Sequence, residues 1–349
     1  MSFRHALIES LHSRNDHAFA NYLEEQLAFI QNKNLEADIL REVCKRGKPH
    51  HLSLLIERGW DVNMRLGIGE PGMDDGWTGD DATALHYAAQ VGKDSHMKLL
   101  LEAGADVNAR DADAATPILT PWLYGDVDTL QILIEHGADV NAENNEGETA
   151  LLQWAQESSV EGVLYLIEQG ADIHVTRSDG ISVLWFMANR GNTEVAEELL
   201  RRGAILDYWS AVMLGKVEEV KAALVENPTL LETTDIRDWT PLFNAVRQQQ
   251  WNMVEFLLRA GANPNHHSGQ SISLIEAVLH NQLKIVQLLV YAGANIHLQI
   301  PQGALLGFRM TDYGYNGPYI TTTSVTLFGL AKKEGFDEIV EFLKLAGAI

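Results

Sequence analysis

The side chains in this sequence that could do chemistry do not fall into the arrangements that chemistry needs. Residues 67–72 have the glycine spacing of a dinucleotide-binding loop, but such a loop follows a strand and opens a helix. Here the loop runs on into aspartates that would repel a phosphate and that lack calcium-loop spacing: Asp74, Asp75, Asp80 and Asp81. The histidine pairs at 50–51 and 266–267 are adjacent residues, which rarely converge on one metal ion. We therefore predict no cofactor, no metal site and no catalytic residue.

The single cysteine, Cys44, rules out an internal disulfide and is better explained by core packing than by a reactive thiol. No run of the sequence approaches the roughly 18 apolar residues of a membrane span. Residues 1–16 also lack the apolar core of a signal peptide. These features predict a cytoplasmic protein that does not bind a membrane.

Charge is the strongest compositional signal, with 26 basic side chains against 48 acidic ones and a formal net charge of −22. Such a field repels the phosphates of nucleic acids and attracts basic proteins. The charge therefore predicts a basic protein partner and no nucleic acid. The alternative, that the acidity serves only solubility, stays open at this point.

Much of the sequence is built from a repeated element about 33 residues long. Thr83 is followed by Gly92 and Gly104, and steps of 33 residues lead to equivalent positions at Thr116, Thr149 and Ser182. Self-similarity at a fixed period of this size indicates a solenoid.

The unit of this repeat can be interpreted physically. Thr83 is placed to cap a short helix that ends at Gly92. Met97, Leu100 and Leu101 form the apolar stripe of a second helix, and Gly104 supplies the left-handed residue that ends it. One unit cannot bury its own stripe, so it must stack on its neighbours.

The segment TALHYA at 83–88 resembles the Thr-Pro-Leu-His-x-Ala signature of the ankyrin repeat. The resemblance implies an all-α solenoid of about nine helix–turn–helix units with β-hairpin loops, in which His86 ties a hairpin to a helix. We predict an N-terminal helical cap over residues 1–37 and the repeat domain over 38–349. Its irregularities should be hairpin insertions near 64–81 and 298–322 and a missing hairpin near 204–207. Trp154, Trp185 and Trp209 replace small or histidine residues of the repeat, either as core fillers or as an aromatic surface.

The resemblance also implies a non-enzymatic scaffold that grips its partner on the concave side, with hairpin tips and first helices. The matching positions in this sequence are Arg110, Tyr124, Glu143, Glu146, Glu148, Glu157, Asp179, Arg190, Trp239 and Arg247. Among them, the glutamates from 143 to 157 form an acidic strip that could steer a basic partner.

Each insertion adds aromatic candidates for partner contact. Trp77 stands among aspartates in the first insertion, and Tyr313, Tyr315 and Tyr319 lie in the second. Tyrosine favours recognition because it offers a large contact area at low entropic cost. Alternatively, Trp77 folds back on the first helices and the tyrosines cover the last repeat.

Together these observations predict a monomer that binds a basic protein, in a role such as a cytoplasmic immunity protein or antitoxin. An adaptor that joins two proteins is the alternative. An enzyme with a site in the 298–322 insertion is a third, weaker interpretation.

Overall fold

The computed structural model describes residues 3–13, 17–27, 33–66, 81–120, 127–157, 159–266, 272–301 and 324–348. The chain divides into two units, Met1–Phe186 (unit 1) and Met187–Ile349 (unit 2). The second insertion's three tyrosines, Trp77 and Tyr124 lie outside the described residues.

Unit 1 consists of short paired helices. They are α1 (Phe3–His12), α2 (Ala18–Leu27), α3 (Lys33–Arg46), α4 (Pro49–Glu57), α5 (Ala84–Gln90), α6 (Asp94–Glu102), the 3-10 helix η1 (Pro117–Leu119), α7 (Val127–Glu135), α8 (Ala150–Gln156), α9 (Val160–Glu168) and the first part of α10 (Val183–Asn189). Helix α1 packs on α3 and α3 on α5, while α2 packs on α4 and α4 on α6. The N-terminal pair α1–α2 thus stacks on the pair α3–α4 as that pair stacks on α5–α6.

Unit 2 continues with helical pairs from the second part of α10. Its elements are α11 (Thr193–Arg201), α12 (Tyr208–Met213), α13 (Val217–Glu226), the 3-10 helix η2 (Pro228–Glu232), α14 (Pro241–Arg247), α15 (Trp251–Arg259), α16 (Ser273–Leu279), α17 (Leu283–Tyr291), β1 (Gln299–Pro301), β2 (Ser324–Thr326), α18 (Leu327–Glu334) and α19 (Asp337–Leu345). First helices α12, α14, α16 and α18 stack in this order, and second helices α13, α15, α17 and α19 stack beside them. The fold is the predicted all-α repeat solenoid.

The predicted apolar stripe forms the core. Met97 and Leu100 are fully buried on α6, and Leu52 and Leu55 are fully buried on α4. The glycine that ends each second helix has a left-handed backbone, as at Gly104 with φ 88°. A residue with a Cβ is disfavoured in this conformation, which is why glycine recurs with the repeat.

Threonine caps the first helices α8, α14 and α18 as expected, but neither Thr83 nor Thr116 makes such a bond. Thr149 accepts a hydrogen bond from the Leu152 amide at 3.4 Å, and Thr240 accepts one from Phe243 at 3.2 Å. The Thr83 hydroxyl instead lies 2.9 Å from Nδ1 of His86. His86 Nε2 lies 3.0 Å from the carbonyl oxygen of Ala115 in the next repeat, so the histidine ties hairpin and helix together as predicted.

Unlike Gly104, Asn227 does not end its helix with a left-handed backbone, since its φ is −138°. Its side chain instead accepts a hydrogen bond from the Thr229 amide at 3.2 Å and caps η2. Proline at 228 suits the first position of that helix, which gives Asn227 an extended capping role.

Asparagine side chains connect the loops of successive repeats. Asn108 Nδ2 donates to the Gly137 carbonyl at 3.0 Å, and Asn108 Oδ1 accepts from the Asp139 amide at 2.8 Å. Asn63 and Asn141 make the same two bonds in unit 1, and Asn265 does so in unit 2. This asparagine ladder satisfies loop backbone groups across the four repeat interfaces at which these asparagines stand.

The flanks of the predicted insertions are paired. Leu66 forms a bridge with Ala82, and β1 pairs antiparallel with β2. Residues 67–80 and 302–323 lie outside the described part of the chain. Near 204–207 the chain passes directly from α11 to α12, where Asp207 accepts from the Ser210 amide at 3.0 Å. The predicted domain limits themselves stay predictions.

Candidate protein-binding surfaces

The acidic strip lies around one tight turn of unit 1. Asn144 Oδ1 accepts hydrogen bonds from the amides of Glu146, at 3.0 Å, and Glu148, at 2.9 Å, and this fixes the turn. Glu143, Glu146 and Glu157 are exposed, whereas Glu148 is half-buried and accepts from Asn144 Nδ2 at 3.3 Å. Three of the four predicted glutamates therefore present their carboxylates to solvent.

The basic side chains near this strip are already engaged. Arg110 donates to the backbone carbonyls of Ala114 and Glu143, at 3.0 and 2.9 Å. Arg177 forms an ion pair with Asp179, and that hydrogen bond lowers the pKa of the carboxyl. Residues 101–186 contain only these two basic side chains against sixteen acidic ones. Arg110 supports the hairpins here, and its role in partner contact stays a prediction.

A second acidic surface was not recognised from the sequence. In unit 1, each glycine that ends a second helix is preceded two positions earlier by an exposed glutamate and followed two positions later by an exposed aspartate. We call this surface the acidic edge; its residues are Glu57, Glu102, Glu135, Glu168, Asp61, Asp106, Asp139 and Asp172. The register of the glycines is the sequence signal that would have identified it.

Trp239 of unit 2 was predicted to contact a partner, but its side chain is buried and only 8% of the residue is exposed. The Arg237 guanidinium lies 3.9 Å from its ring centre and that of Arg247 lies 4.9 Å away. A guanidinium group that stacks on an indole ring is attracted to it by a cation–π interaction. Trp239 therefore offers little area of its own for a partner.

Buried polar groups hold this stack in place. Asp235 accepts hydrogen bonds from Arg237 Nη2 at 2.6 Å and from Asn244 Nδ2 at 3.2 Å. Arg247 pairs with the buried Glu276 at 3.4 Å. Burial lowers the pKa of Arg237 and the Asp235 carboxylate opposes that shift. The guanidinium stays charged because its ordinary pKa is so high.

Arg190, the remaining predicted contact of unit 2, is exposed. Besides burial, its charge, like that of Arg247, lowers the pKa of Arg237. Arg190, Arg237 and Arg247 therefore stand close together on this part of unit 2. Asp235 and Glu276 offset most of their charge. The surface is therefore weakly basic at most, unlike the acidic strip.

The tryptophans that replace small residues fill the core. Trp154 is 4% exposed and Trp185 7% exposed. A Cβ atom at Gly162 would overlap the Trp154 ring, so glycine makes room for the indole. An aromatic recognition surface at these two positions is thus excluded.

Titratable side chains do not assemble into a reactive site within the described ranges. Burial raises the pKa of the Cys44 thiol to about 12, which keeps it protonated and unreactive. Among the residues that the structure describes, no three His, Cys, Asp or Glu side chains are grouped to hold a metal. The same described residues include no helix with the length and apolar content needed to cross a bilayer.

The fold is that of a repeat protein built from stacked helical pairs, with loops and helix ends exposed to solvent. A family model of the ankyrin repeat matches residues 80–112, and a model of ankyrin repeats in three copies matches residues 111–177 and 208–300. These matches together cover more than half of the chain, so the chain belongs to the ankyrin-repeat family. Ankyrin repeats generally mediate protein–protein interaction and are typically not enzymes, and the protein is accordingly a protein-binding scaffold. A comparison with curated protein sequences gave no match.

Proposed function

We propose that the protein binds a basic protein partner through the acidic surfaces of unit 1. The observation that carries this proposal is the uneven charge of the chain. Unit 1 has 13 basic and 31 acidic side chains, whereas unit 2 has 13 basic and 17 acidic ones. A field this concentrated raises the association rate of a cationic partner.

The acidic strip is the better candidate for direct contact. Glu143, Glu146 and Glu157 are exposed, and Asn144 holds the turn that presents two of them. The neighbouring Arg110 donates to backbone carbonyls and keeps its positive charge, which offsets only part of the charge of these glutamates. Solubility alone would be served equally by charge spread over both units.

A neutralising role, such as that of an immunity protein or antitoxin, is the specific form of this proposal. A toxin that acts on nucleic acid or anionic membrane needs a basic surface, and an acidic protein bound there would cover it. Adaptor function remains the second candidate and gains support from the different chemistry of unit 2 described below.

The proposal is tested by replacing Glu143, Glu146 and Glu157 together with glutamine, which removes charge with little change of shape. The matched control replaces three exposed glutamates of unit 2 in the same way: Glu194, Glu226 and Glu338. Affinity purification from the source cell with mass spectrometry identifies the partner, and its affinity is then measured across a range of salt concentrations.

We expect a basic partner, at least a tenfold loss of affinity in the strip variant, and a shallower salt dependence than in the wild type. The control variant should bind as the wild type does. A partner whose binding is insensitive to both salt and the strip variant would contradict the proposal. If the partner arrests growth when expressed alone and not when co-expressed with this protein, the neutralising role is supported; a harmless partner would refute that role only.

A further inference from the structure

The repeat register places three exposed apolar side chains along one edge of unit 2. They stand two positions before the residue that ends each second helix, where unit 1 has glutamate. Val225 is 78% exposed, Tyr291 78% and Leu345 81%. We call these three residues the apolar edge. Because the same register carries exposed carboxylates in unit 1, this position faces solvent in each repeat rather than the core.

Tyr291 and Leu345 of the apolar edge form part of a larger apolar surface around Phe342, which lies one turn before Leu345. The Tyr291 ring meets Phe342 of α19, the next second helix in the stack, edge-on, with ring centres 5.9 Å apart. Leu288, one turn before Tyr291, is partly buried and extends the same face. Single exposed apolar residues are ordinary on protein surfaces, but a contiguous patch marks an interaction site.

The charges around this edge are of both signs, unlike those of the acidic edge of unit 1: the exposed Glu226 is adjacent to Val225, and the exposed Glu341 lies one turn before Leu345. Arg259 holds the same register between Val225 and Tyr291, and the exposed Lys344 is adjacent to Leu345. Glu255 accepts from Arg259 at 2.6 Å, which leaves other guanidinium N–H donors for a second acceptor. Where unit 1 has the aspartates of its acidic edge, unit 2 has uncharged residues instead: Ile205, Thr229, Asn263 and Asn295.

We propose that the apolar edge is a second docking surface, which takes an amphipathic segment of a partner protein whose apolar side chains are flanked by carboxylates. Val225, Tyr291 and Leu345 supply the apolar contact, and Arg259 and Lys344 pair with the flanking carboxylates. The acidic strip and acidic edge of unit 1 repel such a segment, so the two units select ligands of opposite charge.

A display library of random peptides, selected on the full chain, tests this inference. The selection is compared with one on a double variant, Tyr291→Glu with Leu345→Glu, which keeps the fold because both side chains are exposed; matching circular dichroism and thermal unfolding verify this. We expect wild-type selection to enrich peptides that combine apolar and acidic residues, and these should bind the double variant at least tenfold more weakly. The inference would be overturned if the peptides that bind the double variant more weakly than the wild type were basic. It would also be overturned if no selected peptide bound the double variant more weakly.

Two controls test whether peptide binding belongs to the apolar edge of a single chain. Replacing Glu102 and Glu168 with glutamine alters the equivalent register of unit 1, and it should leave the acidic peptides bound as before. If they bind less well to that variant, the selectivity assigned to unit 2 is wrong. Sedimentation of the wild type and of the double variant tests coverage by a second copy. A dimer that only the wild type forms would assign the edge to self-association and refute the peptide-docking role.

Discussion

Acid should weaken the packing between the first repeats, because a buried histidine there lacks a partner for a second proton. His96 is 2% exposed on α6, which packs on α4. Its Nε2 atom is buried and makes no hydrogen bond to any described residue. Burial first, and the Lys93 ammonium group second, lower the pKa of His96 from 6.5 to about 4. The nearby His51 acts in the same direction, and the Gly47 and Val43 carbonyls oppose it.

The direction of the effect follows from which state binds the proton first. The unfolded chain takes up a proton at His96 near pH 6.5, whereas the folded chain does so only near pH 4. The stability that neutral His96 contributes is therefore complete above about pH 6.5, and it is lost as the pH falls towards about 4. We expect His96 alone to reduce the free energy of unfolding by about 2 kcal/mol between about pH 7 and pH 5. Burial also lowers the pKa of His86, which adds a loss in the same direction.

The variant that isolates this contribution is His96→Met. Methionine does not titrate, and Met253 fills the same position on α15 of unit 2, where it is fully buried. Urea unfolding followed by circular dichroism at a series of pH values gives the global effect. Hydrogen exchange of the α6 amides gives the local one, which is needed because a chain of this length need not unfold in a single step.

Between about pH 7 and pH 5, the free energy of unfolding of His96→Met should fall by about 2 kcal/mol less than that of the wild type. His297, which is exposed in a loop of unit 2, supplies the control, since His297→Gln should leave the wild-type profile unchanged. If acid destabilises His96→Met as steeply as the wild type, the assignment of the effect to His96 is refuted.

Three further sets of substitutions test the repeat geometry. Ala114 has a left-handed backbone, φ 58°, at the turn position where the next repeat has Gly147, φ 74°; Ala114→Gly should stabilise the chain by about 1 kcal/mol and Gly147→Ala should destabilise it similarly, as thermal unfolding will show. Asn108→Ala removes both bonds of one step of the asparagine ladder, so the free energy of unfolding should fall by about 1–3 kcal/mol, with faster amide exchange in the loops on both sides; unchanged exchange would contradict the role of the ladder. Gly162→Ala drives a methyl group into Trp154, which should destabilise by about 1–3 kcal/mol, and adding Trp154→Phe should recover part of that loss.

The repeat could be predicted from sequence because its markers are local. A left-handed backbone selects glycine and a helix N-terminus selects threonine, so Gly104 and Thr149 report conformations that their own neighbours impose. This local marker is absent at Asn227, where the following proline begins a 3-10 helix and the asparagine caps that helix instead. The pair α1–α2 lacks both markers, yet it stacks as the other pairs do through buried residues such as Leu7 and Phe19.

The binding surfaces were harder to predict because exposure depends on contacts between distant residues. Trp239 stands in a loop, and the side chains of Arg237, Arg247 and Phe243 lie against its ring, so that the residue is buried. Arg110 likewise looks like a free cation in sequence, whereas Glu143 of the next repeat supplies one of its carbonyl partners. The acidic edge was overlooked although its register is visible, because each glutamate alone resembles a solvated surface charge.

The glutamates and the aspartates of the acidic edge differ in whether they contribute to folding. Each aspartate accepts a hydrogen bond from the backbone amide two residues later, as Asp106 does from Asn108 at 2.9 Å, so its presence has a folding explanation. The glutamates stand at helix C-termini, where the helix dipole disfavours a negative charge by about 0.3–1 kcal/mol. Unit 2 replaces the glutamates with Arg201, Val225, Arg259, Tyr291 and Leu345, so that register does not require an acid for folding. Because the fold neither needs nor favours these glutamates, we expect partner contact in the glutamate row rather than at the aspartates.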